Sequence, residues 1–309
     1  MKPIVTLTLN PSIDGSAETD VVRHTRKVRT ANELLDPGGG GLNVARVLGE
    51  LGAPAYAIYC AGGATGDALD SLLEARGVER RRVPVAGVTR FAHVVRELST
   101  GREFRFVPEG PEMNDAEVEA VLEALVEADC DYLVASGSLP RGVAQDFYAR
   151  VSDVAARKGA KFILDTSGEP LRQAIARGGV HFAKPSRGEF AALIGETIED
   201  QRALGEAALR FVEDGRVEML AVTLGHEGAV FASREGVRFA PALDVPVVSA
   251  VGAGDSFVAG FVFALATGKP PQDAFLMGVA AGSAAVMTPG TQMCRRDDVE
   301  RLYAGLKSG

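Results

Sequence analysis

Val251-Gly252-Ala253-Gly254-Asp255-Ser256 runs directly into a helical pattern in which Phe257, Phe261 and Ala264 recur at helical spacing. Glycines before a helix start leave backbone N–H groups free and let an anion approach them closely. The positive end of the helix dipole adds to that attraction. Phosphoryl transfer needs such a site, because charge spreads over the moving oxygens and catalysis is mostly positioning and electrostatics. Asp255 beside it can take the proton of an attacking hydroxyl. In a loose transition state that proton leaves late, so the role needs no strongly raised pKa. The plain alternative for Asp255 is a helix N-cap.

Asp36-Pro37-Gly38-Gly39-Gly40-Gly41-Leu42-Asn43 is a second signal. Four glycines entering an apolar helix cost conformational entropy, and a ligand pressed against bare backbone would explain them. The Asn43 amide both donates and accepts, which suits hydroxyl groups; a flexible strand-to-helix turn is the alternative. Asn10-Pro11-Ser12-Ile13-Asp14 ends a first strand, where Asp14 either accepts from sugar hydroxyls or forms an Asx turn. A substrate phosphate needs cations, and Lys27, Arg90 and Arg105 fall in segments outside the main strand–helix alternation. Arginine forks bind phosphate oxygens bidentately; singly, each cation reads as a solvated surface charge.

Further along, Lys184-Pro185-Ser186-Arg187-Gly188-Glu189 follows a short strand. Glu189 there either holds Mg²⁺ through water or simply opens a helix. Thr223-Leu224-Gly225-His226-Glu227-Gly228 makes a glycine turn between two strands, an ordinary hairpin or a nucleotide loop. His24, His93, His181 and His226 lack metal-ligand spacing, which argues against zinc. Gly268-Lys269 runs into Pro270, so no Walker A loop is present, and no Gly-x-Gly-x-x-Gly follows the first strand.

These groups must be held by a scaffold. Short apolar runs at Ile4–Leu9, Ala55–Tyr59, Tyr132–Ala135, Phe162–Leu164 and Met219–Val222 read as buried strands. Between them lie helical periods such as Val118, Val121, Leu122 and Leu125. Strands alternating with amphipathic helices imply a parallel sheet covered on both faces. Phe91–Leu98 and Arg102–Val107 around Ser99-Thr100-Gly101 read as a hairpin, with Glu103 and Arg105 on one face and Phe104 and Phe106 on the other. With Asp14–Leu35 it forms a small β-sheet lid at the C-terminal edge of the core.

The chain has 309 residues, 46% hydrophobic and 24% charged, which excludes a disordered polymer and supplies an ample core. A net charge of -8 argues against a nucleic-acid scaffold. The absence of a long apolar run or signal-peptide core, with three scattered cysteines (Cys60, Cys130, Cys294), leads to the expectation of a cytoplasmic protein with reduced thiols and no membrane partner.

Gly38–Asn43 and Val251–Asp255 together resemble the two signatures of the ribokinase-like (PfkB) carbohydrate kinases. The likeness extends over Leu7–Asp14, Ala61–Gly66, Ser136–Pro140 and Gly278–Ala285. Within the family, Asn10–Asp14 and the glycine quartet are similar to the sugar-phosphate branch, the bacterial minor-isozyme 6-phosphofructokinases. The resemblance implies an α/β fold: a three-layer α/β/α, Rossmann-like core forming one kinase domain over 1–309, with a lid from about 14–35 and 88–108 that clasps a homodimer. It implies phosphorylation of a hexose phosphate by Mg-ATP, fructose 6-phosphate giving fructose 1,6-bisphosphate. Tagatose 6-phosphate and fructose 1-phosphate are the alternatives, and a non-catalytic sugar-phosphate sensor is the non-enzymatic one.

The resemblance also distributes roles. Asp255 is the base and Gly252, Ala253 and Gly254 supply the anion hole. Asp14, Lys27, Gly38, Gly39, Gly40, Gly41, Asn43, Arg90, Arg105 and Ser138 meet the sugar phosphate. Lys184, Ser186, Thr223, Gly225, Gly228 and Ser283 line the nucleotide site, and Glu189 organises Mg²⁺. Carbonyls around Ser249, Val251, Ala285, Thr288 and Gly290 form a K⁺ loop. The chain departs from the family at Ser186, where Asn is usual, and at Gln292, where relatives carry Arg.

Overall fold

The computed structural model describes residues 1–308. The chain runs through β1 (Ile4–Thr8), β2 (Ser12–Thr19), β3 (Ala31–Gly38), α1 (Gly40–Glu50), β4 (Ala55–Ala61), α2 (Gly63–Ala75) and β5 (Arg80–Pro84). It continues with β6 (Arg90–Glu97), β7 (Glu103–Phe106), α3 (Asp115–Glu127), β8 (Tyr132–Ser136), α4 (Phe147–Lys158), β9 (Lys161–Asp165) and α5 (Gly168–Arg177). The remainder is β10 (Val180–Ala183), α6 (Arg187–Ile194), α7 (Gln201–Glu213), β11 (Met219–Thr223), β12 (Ala229–Ser233), β13 (Gly236–Ala240), α8 (Ala253–Ala266), α9 (Pro271–Ala285) and α10 (Arg296–Ser308).

Nine strands form one sheet in the order β13-β12-β11-β10-β9-β8-β1-β4-β5. It is parallel from β5 to β11, and β12 and β13 add an antiparallel edge. Side chains alternate across it, as strand geometry demands. Val5, Leu7, Leu133 and Ala135 join the cluster beneath α3, α4, α5 and α7. Ile4, Val134 and Ile163 face the other way, onto α1, α8 and α9. The result is the expected three-layer α/β/α core, with strands buried on both faces and therefore continuously apolar.

The order reverses at β1, which lies between β4 and β8. Open α/β sheets bind ligands at the carboxyl ends of strands beside such a switch point. From that edge rises a second sheet, β3-β2-β6-β7, in which β2 and β6 are parallel and the outer pairs antiparallel. On its other side the site depends on the seating of α8. Phe261 of that helix is fully buried and stacks on Phe182 of β10 at 3.8 Å between ring centroids. Stacked aromatic packing adds to the area these rings bury and helps seat the helix that carries Asp255.

Candidate active site

Consecutive strands deliver polar groups to one place: Ser136 ends β8, Asp165 ends β9, and Lys184 follows β10. Two helices start there as well. α1 begins after Gly39 and α8 after Gly252, neither with a side-chain cap, so the amides of their first turns stay open to a ligand. Gly252 has φ 75°, a left-handed geometry that glycine adopts without steric cost.

Asp255, in the first turn of α8, is not an N-cap. Its Oδ2 accepts from Asn43 Nδ2 at 2.9 Å, and its Oδ1 from Ser136 Oγ at 3.3 Å. Burial, then the neighbouring Asp165, push its pKa up to about 7, against the pull of Asn43, Lys184 and Ser136. The role needs no such rise; the rise is present because desolvation outweighs the donors. Lys184 Nζ pairs with Asp165 Oδ1 at 3.2 Å, both side chains largely buried. Burial alone would lower the lysine, but the charge and hydrogen bond of Asp165, with the charges of Asp255 and Glu189, together raise it and hold the ammonium charged. A Cβ at Gly254 would sit 3.2 Å from Lys184 Nζ, so the cation stands against the helix start.

The glycine quartet is explained differently from the sequence expectation. A Cβ at Gly38 would lie 2.2 Å from the Asp14 carboxylate, and one at Gly40 would lie 2.1 Å from Ser136 Oγ. Gly39 takes φ 114°, and a Cβ at Gly41 would strike the Leu7 carbonyl at 2.3 Å. The protein's own groups, not only a ligand, require bare backbone at all four positions.

Asp14 sits on β2, its Oδ1 accepting from Ser12 Oγ at 2.5 Å. Burial raises its pKa, with Ser12, Arg90 and Arg46 opposing. Arg90 reaches across to donate to the carbonyls of Asn10 at 2.8 Å and Pro108 at 3.0 Å. Its Nε is buried and has no hydrogen-bond partner among the described residues. Ser138 Oγ accepts from Asn10 Nδ2 at 3.4 Å on the same rim.

Two predicted cations are not brought in by any contact. Arg105 on β7 pairs with Glu103 at 2.8 Å, a neighbour two residues away on the same face that neutralises it. Lys27 is exposed between β2 and β3 and forms no ion pair among the described residues. Among the residues expected to border a nucleotide, Ser186 bridges Thr223 in parallel register, and Gly225 and Gly228 bracket a 3₁₀ turn between β11 and β12. A Cβ at Gly228 would meet the Ala240 carbonyl at 2.1 Å, so that glycine has a packing reason of its own. Ser283 is half-buried on α9, next to Gly282, which packs toward the Ala253 carbonyl.

Glu189 performs the plainer of its two expected roles: Ser186 and Glu189 form a reciprocal capping box on α6, with Ser186 N–H donating to Glu189 Oε2 at 2.7 Å. Its Oε1 takes no hydrogen bond among the described residues, which leaves it able to meet the water shell of a Mg²⁺ ion. No group of three or more His, Cys, Asp or Glu side chains among the described residues is placed to hold a metal by itself. In the loop after α9, Thr288 Oγ1 lies 2.8 Å from both the Ala285 and Gln292 carbonyls, and Ser249 Oγ donates to Gly290 O at 3.0 Å, while Val251 N donates to Ser249 Oγ. These are hard oxygen donors of the kind an alkali cation takes.

Ser136, Asp165, Arg46 and Asp36 belong to the site but were not singled out from sequence. Ser136 and Asp36 each open a sequence motif, Ser136–Pro140 and Asp36–Asn43, whereas Asp165 and Arg46 carry no local signal. Among the described residues no helix is long and apolar enough to cross a membrane.

The family model described as pfkB family carbohydrate kinase matches residues 8–298. The chain is 41% identical over 302 residues to the ATP-dependent 6-phosphofructokinase isozyme 2 of Mycobacterium tuberculosis, covering 97% of this chain and 88% of the relative. It is 36% identical over 307 residues to the enzyme of the same name from Escherichia coli, covering 99% of each. Crystal structures of Escherichia coli phosphofructokinase-2 superpose with TM-scores of 0.95 for its complex with potassium and 0.94 for its complex with fructose-6-phosphate. Each covers 99% of this chain and 100% of the other, at 36% and 35% identity.

Proposed function

The chain belongs to the PfkB family of carbohydrate kinases, and from that premise we propose that it transfers the γ-phosphoryl group of ATP to fructose 6-phosphate, giving fructose 1,6-bisphosphate. As a member it is a phosphotransferase with an alcohol group as acceptor. The observation that carries the reading is the facing arrangement of Asp255 and Lys184 at an uncapped helix start, with Asp14 and Arg90 across the cleft.

In this reading Asn43 and Ser136 fix the Asp255 carboxylate, which accepts the proton of the attacking sugar hydroxyl. The amides of Gly252, Ala253 and Gly254 and the Lys184 ammonium stabilise the charge on the migrating phosphoryl group. Asp14 and the loop at Gly38, Gly39 and Asn43 receive the sugar hydroxyls. The Arg90 guanidinium meets the sugar's 6-phosphate, joined by the exposed Lys27 and by Arg105 on exchanging Glu103 for the substrate. Ser186, Thr223, Gly225, Gly228 and Ser283 border the nucleotide. Mg²⁺ supplies charge neutralisation on the triphosphate, and Glu189 would hold it through water. The loop of Ser249, Val251, Ala285, Thr288 and Gly290 would hold K⁺.

The small sheet acts as the lid and as the contact between two subunits of a homodimer. What supports this is its pair of open edges, β3 and β7, with Leu34, Leu35 and Phe106 exposed on them; exposed edges and apolar side chains favour pairing. Both substrates are charged metabolites that do not cross membranes unaided, so the reaction is placed in the cytoplasm.

The test is ADP formation with MgATP and fructose 6-phosphate beside tagatose 6-phosphate, fructose 1-phosphate and fructose. The highest kcat/KM is expected for fructose 6-phosphate. A higher value for another sugar overturns the substrate, and tight sugar-phosphate binding without ADP would make the protein a sensor.

A further inference from the structure

Arg46 lies on α1 one turn beyond Asn43, with only 6% of its side chain exposed. Its Nη1 donates to Asn43 Oδ1 at 3.2 Å and to the Pro37 carbonyl at 2.8 Å, while Nη2 donates to Asp36 Oδ1 at 3.2 Å. Asp36, 2% exposed, is held from two further sides. Arg76, the residue that follows α2, pairs with the same oxygen at 2.5 Å, and Thr291 Oγ1 donates to Oδ2 at 2.8 Å. A continuous chain of contacts therefore runs Thr291, Asp36, Arg46, Asn43, Asp255.

A carboxamide can be turned over with little change of shape, exchanging its donor and acceptor ends. Guanidinium only donates and an ionised carboxylate only accepts. With Arg46 on one side and Asp255 on the other, one orientation alone satisfies both: Oδ1 toward Arg46 and Nδ2 toward Asp255. The reversed amide would set its oxygen against the carboxylate and its N–H₂ against the guanidinium.

We propose that Arg46 is a positioning residue that acts through Asn43, locking its amide so that the donor end holds Asp255, and that buried Asp36, braced by Arg76 and Thr291, locks Arg46 in turn. This rests on Asp255 being the base. Thr291 belongs to the loop after α9, so that loop and the sugar side of the cleft share one support. Satisfied buried networks of this type are rigid, and their members couple more strongly than isolated pairs.

Coupling is what distinguishes positioning from general support. Arg46→Lys keeps a cation beside Asp36 but loses the fork that spans Asp36 and Asn43 at once. For the enzyme assayed with MgATP and fructose 6-phosphate, kcat is expected to fall by roughly tenfold, the loss of one well-placed hydrogen bond to a charged group. KM for ATP is expected to stay within about twofold, since Arg46 touches no nucleotide-side residue. In an Asn43→Ala background the same substitution should have no further effect on kcat, because the residue it acts through is gone. Asp36→Asn should give a smaller loss, likewise abolished by Asn43→Ala, and carries the test if Arg46→Lys does not fold. Losses that multiply, in whichever variant folds, or an Arg46→Lys kcat equal to wild type, overturn the inference. A wild-type protein that makes no ADP overturns the kinase reading instead.

Discussion

Asn43 Nδ2 and Asp255 Oδ2 meet at 2.9 Å across 212 residues of chain, joining the first turn of α1 to the first turn of α8. Each residue ends a glycine-rich entry into its helix, so two open helix starts point at one carboxylate. Opposed to that favourable field are desolvation and the neighbouring Asp165, and together they win: the carboxyl is pushed up to about 7.

The pH dependence of both activity and stability follows from that value. Asp255 must be ionised to accept a proton, so kcat/KM should rise through a pKa near 7 and then level off. Stability runs the other way. A carboxyl whose folded pKa is raised binds protons more tightly when folded, so stability is lost as pH climbs from the ordinary 3.8 to about 7, and is flat above. Asp255→Asn removes that cost and should be more stable than wild type at pH 8, by an amount on the order of a few kcal/mol. At pH 4 the advantage should vanish. Denaturant melts at the two pH values measure it.

Gly40 and Gly49 lie on the same helix in opposite circumstances. A Cβ at Gly40 would overlap Ser136 Oγ, whereas one at Gly49 would meet nothing within 4 Å. Gly40→Ala should displace Ser136 from Asp255 and lower kcat by about tenfold or more. Gly49→Ala, at a residue of ordinary helical geometry, should stabilise the fold by roughly 0.5–1 kcal/mol and leave turnover unchanged. Steady-state kinetics and thermal unfolding of the two variants separate the predictions.

Lys184 and Asp165 form a buried pair, and breaking one half strands a charge. Lys184→Met should cost about 3–5 kcal/mol, and Asp165→Asn in the same chain should restore much of it. Turnover should stay low in the double variant if Lys184 has the role proposed for it, because the cation at the start of α8 is still missing. Unfolding free energies and kcat measured on all three variants check the cycle.

The core was legible because buried parallel strands are continuously apolar and their helices keep a 3.6-residue period. β1, β4, β8, β9 and β11 each contain or overlap an apolar run read from sequence. Asn43 and Asp255 were legible because glycines flag the helix starts that present them. Asp36 was not: its partner Thr291 lies 255 residues away, and no local pattern announces a bond over that span. Asp165 is likewise one more polar residue at a strand end until β10 brings Lys184 beside it. The glycine quartet was visible as an oddity, while its cause, crowding by Asp14, Ser136 and the Leu7 carbonyl, exists only once β1, β2 and β8 are assembled.

The most direct measurement is steady-state turnover by Asp255→Asn with saturating MgATP and fructose 6-phosphate, on protein shown by its melt to be folded. Loss of a positioned general base predicts a fall in kcat of about 10²–10⁴, with both KM values little changed. Turnover within about tenfold of wild type would contradict the assignment of Asp255 as the proton acceptor.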